Sequence, residues 1–228
     1  MTASTQTPAH SGSRQANRAR IRDSLLDAAE ELFADGGYYG VSVRDITERA
    51  GTRLASVSDH FGGKENLLRD VLLRRVEPLN ADRRRRLAEL PDSASRRRRL
   101  DGVIDAFTVP MLERAADAGW RNYFRLIAQL SNSRVPALAL VADEYNTVAK
   151  VFIDRLRELF PDADEPIFNE AYLHMVAVTM HTFADTARLD RITQGRASTH
   201  DIDQRHRVLT EFVAGGITRL AGRAVSRR

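Results

Sequence analysis

Residues Leu25–Leu68 read LLDAAEELFADGGYYGVSVRDITERAGTRLASVSDHFGGKENLL, and their punctuation sets where the helices begin and end. Ile21, Leu25, Leu26, Ala29, Leu32 and Phe33 recur at three- and four-residue steps, the spacing of one apolar helix face. This helix is predicted over 16–34. Asp35-Gly36-Gly37 ends it, because glycine takes the left-handed C′ conformation at no steric cost. Ser42 then offers an N-cap, with Asp45 in the N3 place of a capping box. Val43, Ile46 and Ala50 form the buried face of this short helix, and Gly51 closes it. A further short helix is predicted over 54–61, ended by Gly62-Gly63. Two short helices across a glycine-bearing turn, braced by a longer one, make a helix-turn-helix pattern. A second helix held in this way can enter the DNA major groove. Val57 and Phe61, four apart, are predicted to face the core together. Arg53, Ser56, Asp59 and His60 are then predicted to face outward.

Downstream, a long helix is predicted over 64–90, with Leu67, Leu68, Val71, Leu72 and Val76 as its apolar face. Pro78 predicts a kink or local break in it. Further helices are predicted at 96–118, 120–132, 136–160, 166–188 and 201–222, with a polar loop over 193–199. No stretch alternates with period two between hairpin turns, so no sheet is expected. The predicted fold is all-α: a three-helix head followed by a second helical domain. Residues 1–15, rich in Ser, Thr, Ala and Gln without hydrophobic period, read as a disordered arm.

The chain has 228 residues, 43% of them hydrophobic, enough to bury a real core. It has no cysteine, which excludes disulfide scaffolds, thiolate zinc sites and cysteine nucleophiles. No apolar run approaches the roughly 20 residues needed to cross a bilayer, and the N-terminus lacks the apolar segment of a secretory signal. A cytoplasmic protein is expected. The net charge of +4 is unevenly placed: residues 1–100 carry 19 Lys+Arg against 14 Asp+Glu. The positive charge thus lies in the half that holds the helix-turn-helix pattern, which points to an acidic partner such as nucleic acid.

In combination, Ala28-Ala29 with Leu32-Phe33, the glycine turn, Asp45-Ile46, Ala50-Gly51, His60-Phe61, Lys64-Glu65 and Leu67-Leu68 resemble the DNA-binding domain of the TetR family of transcriptional regulators. The resemblance covers about residues 20–76. It implies a homodimer, joined through the helices near 166–188 and 201–222, whose C-terminal domains bind a small effector. It divides the chain into the arm 1–15, a DNA-binding domain 16–63, a connecting helix 64–90 and a ligand-binding and dimerisation domain 91–228. Where the family often has a phosphate-touching tyrosine, this chain has Ser58, and the common Gly-Thr pair is Ala55-Ser56.

The implied function is a ligand-responsive repressor, released from a palindromic operator by a small, mainly apolar effector. Ser42 and Arg44 sit where free helix-terminal N–H groups favour a phosphate, and Lys64 opens the next helix. Arg53, Leu54, Ala55, Ser56, Ser58, Asp59 and His60 lie on or beside the recognition helix, where base edges can be read. Asp59 either accepts from cytosine N4 or faces water near an arginine. Arg18, Arg20 and Arg22 either reach the minor groove or form a solvated tail. The runs Arg83–Arg86 and Arg96–Arg99 read as solvated faces paired with Asp82, Glu89, Asp92 and Asp101, against DNA contact. Effector-lining candidates are Phe107, Met111, Trp120, Phe124 and Ile127, then Tyr145, Val148, Phe152, Met175 and Thr179. His174 and His181 lie two turns, roughly 10 Å, apart, too far to share an ion. They read as packed or dimer-interface histidines, and no metal or cofactor is expected. The rival reading is an all-helical enzyme with a vestigial DNA head, using His181 and Asp185 as acid and base.

Overall fold

In the computed structural model residues 9–131, 133 and 135–225 are described, and among them the regular structure is entirely helical. The order is α1 (Ala9–Gly40), α2 (Val43–Arg49), α3 (Ser56–Phe61), α4 (Lys64–Ala88), α5 (Arg96–Leu112) and α6 (Ala118–Leu130). A 3-10 helix (Pro136–Val141) then precedes α7 (Ala142–Leu159), α8 (Glu165–Phe183), α9 (Arg188–Thr193) and α10 (Ile202–Val225). The chain forms two compact units, one up to Val71 and one from Leu72 onward, so the division falls within α4.

The first unit is built on the apolar face read from the sequence. Leu25, Leu26, Ala29 and Phe33 of α1 are buried with Ile46, Val57, Phe61, Leu67, Leu68 and Val71. α1 is broken at Gly37, whose backbone (φ 70°, ψ 166°) leaves the helical region, as the glycine stop predicts. At its other end α1 begins at Ala9. Residues 9–15 are therefore helical and not the expected disordered arm. Ala9, Arg14, Gln15 and Ala16 accept helix readily, and extending a nucleated helix costs far less than starting one. The rest of that arm, 1–8, lies outside the described residues.

The second unit packs α5, α7, α8 and α10 around Phe107, Phe152, Phe168 and Met175, all buried. Phe107 meets Phe152 and Tyr172 edge-on, with ring centroids 5.3 and 5.8 Å away. Of the kink or local break expected at Pro78, the break is absent: α4 runs continuously from Lys64 to Ala88 with the proline inside it. Buried Val76 and Leu79 on either side hold the turn in place against the loss of one backbone hydrogen bond. The helix expected over 136–160 starts as a 3-10 turn and becomes α-helical at Ala142. The helix expected over 166–188 ends at Phe183, because Asp185 (φ 47°) and Ala187 (φ 50°) are left-handed and cannot continue it. The loop over 193–199 is tied down: the Thr199 backbone N–H donates to Asp190 at 3.0 Å, and the Thr199 hydroxyl donates to the same carboxylate. No helix among the described residues is long and apolar enough to cross a membrane.

Candidate functional site

α2 opens with the capping box that the sequence predicts. The Asp45 N–H donates to Ser42 Oγ at 3.1 Å, and the Ser42 N–H donates back to Asp45 Oδ2 at 2.8 Å. The Ser42 hydroxyl also donates to that carboxylate at 2.8 Å. These bonds from Ser42 hold the Asp45 carboxyl below the usual range. Of the N–H groups at this helix start, the Ser42 N–H is therefore taken by the Asp45 carboxylate. Arg44 is exposed, with Glu48 accepting from its Nε at 2.8 Å. Gly51 (φ 63°) then turns the chain, a left-handed corner that a side chain would strain.

α3 starts at Ser56, slightly later than predicted, and Gly62 (φ 74°) caps it in the left-handed conformation. Val57 and Phe61 are buried as expected. The outward face is Arg53, Leu54, Ala55, Ser58 and Asp59, with Leu54 61% exposed. Ser56 is not on that face: only 4% of it is exposed. It borders, with half-buried His60, a hollow of about 270 Å³ shared with Asn17, Arg20 and Ser24 of α1 and the α2–α3 turn. The core anchors fix which side of α3 points in, but the flank carrying Ser56 and His60 is covered by α1 while the flank carrying Ser58 is open. Burial, then repulsion from Arg18, pushes His60 below the ordinary histidine value, which favours its neutral form.

Three charged candidates have partners within the unit. Asp59 accepts from Arg53 Nη2 at 3.1 Å on the exposed face. Lys64 donates to the Tyr38 carbonyl and lies 4.3 Å from the centroid of that ring, so it fastens the end of α1. Arg22 pairs with Asp70 at 2.8 Å and sits over the Phe61 ring. Sequence spacing shows that such residues share a neighbourhood; it does not show which of them is already neutralised.

In the second unit, a cavity of about 370 Å³ is lined by Phe107, Ile127, Tyr145 and Val148, four of the ten effector-lining candidates. Met111, Trp120, Phe124, Phe152, Met175 and Thr179 do not line it. Phe152 and Met175 are ordinary core, Thr179 bonds back to the Met175 carbonyl, and Phe124 borders a separate hollow with Arg121 and Arg205. Apolar spacing marks both core and cavity wall, so it could not separate them. The sequence reading missed Arg83, Tyr123 and Tyr172 on the cavity wall. Arg83 was counted with its neighbours as part of a solvated run, yet it is 3% exposed. Of the other arginines in the two runs, Arg85 and Arg86 share Asp82, and Arg97 pairs with Asp101.

The acid–base pair of the rival enzyme reading is not assembled. The histidine within ion-pair distance of Asp185 is His200, at 4.0 Å, and His181 lies exposed on α8. His174 is exposed too, its Nδ1 2.7 Å from the Glu170 carbonyl, so neither is a packed histidine within this chain. No group of three or more metal-ligating side chains is gathered among the described residues.

Two family descriptions match this chain in succession. Residues 25–71 match the model for bacterial regulatory proteins of the tetR family, and residues 105–216 match the tetracyclin repressor-like C-terminal domain. The chain belongs to the TetR family of transcriptional regulators. It is similar to the HTH-type transcriptional activator FasR of Mycolicibacterium smegmatis, with 35% identity over 42% of this chain and 44% of FasR. It is also similar to the HTH-type transcriptional repressor KstR2 of the same organism, with 43% identity over 24% of this chain and 26% of KstR2. The match thus spans less than half the length of either relative. In fold, this TetR-family chain resembles NalD, the secondary repressor of the MexAB-OprM multidrug efflux pump in Pseudomonas aeruginosa. The TM-score is 0.59 at 21% identity over 88% of this chain and 97% of NalD. Against the fatty acid degradation regulator FadR of Bacillus halodurans the TM-score is 0.54, at 16% identity over 91% of this chain and 97% of FadR. The family model and both relatives are described as regulators, the relatives as regulators of transcription.

Proposed function

We propose that this chain is a repressor that grips a near-palindromic operator as a homodimer and lets go when a small, mainly apolar effector fills the 370 Å³ cavity. The observation that carries the reading is the face of α3. Arg53, Leu54 and Ala55, leading into α3, and Ser58 and Asp59 on it stand exposed, while the opposite side of the helix is locked into the core. Short side chains at Ala55 and Ser58 let the helix lie close to base edges, while Arg53 supplies a phosphate or guanine contact. For the direction of control, KstR2 is named a repressor and FasR an activator, and the proposal follows the former.

Dimerisation is assigned to α8 and α10. Val208, Phe212 and Leu220 of α10 and Leu173 of α8 are exposed apolar side chains on these two packed helices. Gly215 and Gly216 lie on the same helix with open space where a Cβ would stand. Mid-helix glycines cost stability, and among the described residues no neighbour crowds these two positions. A second copy of the helix, approaching closely, does.

The effector acts by preferring the conformation that does not fit the operator, since equal affinity for both states shifts nothing. α4 is the shared element: Leu67 and Leu68 belong to the core of the first unit, and Leu79 and Arg83 to the cavity wall of the second.

The test is a gel shift of the region upstream of the gene at about 100 mM salt, where phosphate binding is not saturated. A shifted band that weakens in Arg53→Ala is expected. No shift, with Arg53→Ala indistinguishable, overturns the reading. Asp59→Asn provides a sharper sign. It removes a negative charge facing the phosphates and frees Arg53, so affinity is expected to rise several-fold and the salt slope to steepen by about 1. If Asp59 instead accepts from cytosine N4, titration of the operator measures a loss.

A further inference from the structure

Arg83 is the one arginine of its run that is withdrawn from water, and its surroundings are incomplete as an ion pair. Its Nε donates to the Phe107 carbonyl at 3.0 Å, Nη1 to Asn80 Oδ1 at 3.2 Å, and Nη2 to Met111 Sδ at 3.3 Å. The guanidinium carbon lies 3.8 Å from the centroid of the Phe107 ring. A guanidinium carries five N–H donors, so two are unaccounted for and a third rests on a weak thioether acceptor. Among the described residues no carboxylate lies within ion-pair distance of it; the Asp82 beside it in sequence is used by Arg85, Arg86 and Arg114. Buried charges are normally paired, because leaving water costs several kcal/mol.

The same guanidinium lines the cavity, and three phenols surround it. Tyr123 and Tyr145 hydroxyls are 3.4 Å apart, and Tyr172 shares the wall. Burial pushes the Tyr172 hydroxyl up to about 12 and raises Tyr145 well above its ordinary value, so both stay protonated and able to donate. The remaining wall is mainly apolar, with Leu79, Ile127, Leu138 and Val148, and carries Ser131 and Asn146 as its other polar side chains, neither of them charged. The cavity therefore combines one uncompensated positive charge, neutral hydroxyl donors and a hydrocarbon lining.

We propose that the effector is an amphiphilic monoanion, an apolar body bearing one carboxylate, which docks that carboxylate on the Arg83 guanidinium with the tyrosine hydroxyls as further donors. A single guanidinium matches one negative charge in planar, two-pronged fashion. A phosphomonoester would bring close to two charges and leave one unpaired in the apolar wall. An ammonium amphiphile would be repelled. This deepens the effector reading above and rests on it.

The experiment compares three probes of equal chain length, decanoate, decanol and decyltrimethylammonium, by calorimetric titration of the full-length protein at neutral pH. Decanoate is expected to bind about tenfold or more tighter than decanol, with the ammonium weakest, as a buried charge-assisted bond requires. In Arg83→Met, decanoate is expected to weaken about 30-fold while decanol is unchanged. Unliganded Arg83→Met should melt no lower than the parent, since an apolar side chain of similar length avoids burying the charge. Arg83→Lys, which keeps the charge but loses the fork, should still prefer decanoate to decanol, by a smaller margin. Decanol bound as tightly as decanoate by the parent protein overturns the carboxylate proposal and leaves the cavity as an apolar effector site. A large drop in melting temperature in Arg83→Met with decanoate selectivity retained assigns Arg83 to structure and also overturns it. Binding of none of the three probes, with DNA still shifted, removes the effector cavity as well.

Discussion

Phe212→Asp is expected to turn the protein into a monomer in light scattering and to lower operator affinity by about 10²–10⁴. Phe212 is 68% exposed on α10, flanked one turn away by Val208 and Gly216. A carboxylate there must either be buried unpaired against the second copy or keep that copy away, and the first option costs far more than the side chain contributes to its own fold. The drop in DNA binding follows without any contact between Phe212 and DNA. Two linked heads bind one palindrome with the second contact made intramolecularly, and a lone head forfeits that gain. Melting of the chain should change little, because the position makes few contacts within it. A stable dimer with unaltered DNA binding would place the interface elsewhere.

Phe33→Ala is expected to destabilise the first unit by about 3–5 kcal/mol and to abolish the gel shift. Phe33 is fully buried, packs 5.8 Å from the Tyr38 ring, and belongs to the face that holds Val57 and Phe61. A small unit has only about 5–15 kcal/mol in total, so removing one anchor consumes much of it. The melting transition should fall by more than about 10 °C, read by circular dichroism. A fall under about 3 °C with full DNA binding would mean that α3 does not depend on this core. The contrast with Phe212→Asp is informative: both lose the operator, one by unfolding a head and the other by separating two intact ones.

The elements around the turn were legible because each had two signals. Ser42 with Asp45 starts α2, and Gly51 and Gly62 stop short helices whose apolar residues are correctly spaced. Ser56 was misplaced because helical phase relative to Val57 and Phe61 locates the core but not the neighbour that covers one flank. Arg83 was hidden for a related reason. Charge runs read as solvated on average, and only the packing of Phe107, Asn80 and Met111 shows that one member points inward. The early end of α8 rests on left-handed Asp185 and Ala187, which no glycine or proline announces. Of the cavity wall, Phe107, Ile127, Tyr145 and Val148 were legible from apolar spacing, while Arg83, Tyr123 and Tyr172 were not, since a charge run reads as solvated and a tyrosine on an apolar stripe reads as core.

The layout of α3 has a consequence for how such a regulator diversifies. The residues that hold the helix, Val57 and Phe61, and those that face out, Ala55 at its N-cap with Ser58 and Asp59, are disjoint sets within one six-residue helix and its cap. Substitutions in the second set should therefore be nearly free of any folding penalty. Duplicated copies of the gene could drift to new DNA sites through these exposed positions alone, while the scaffold that presents them stays unchanged.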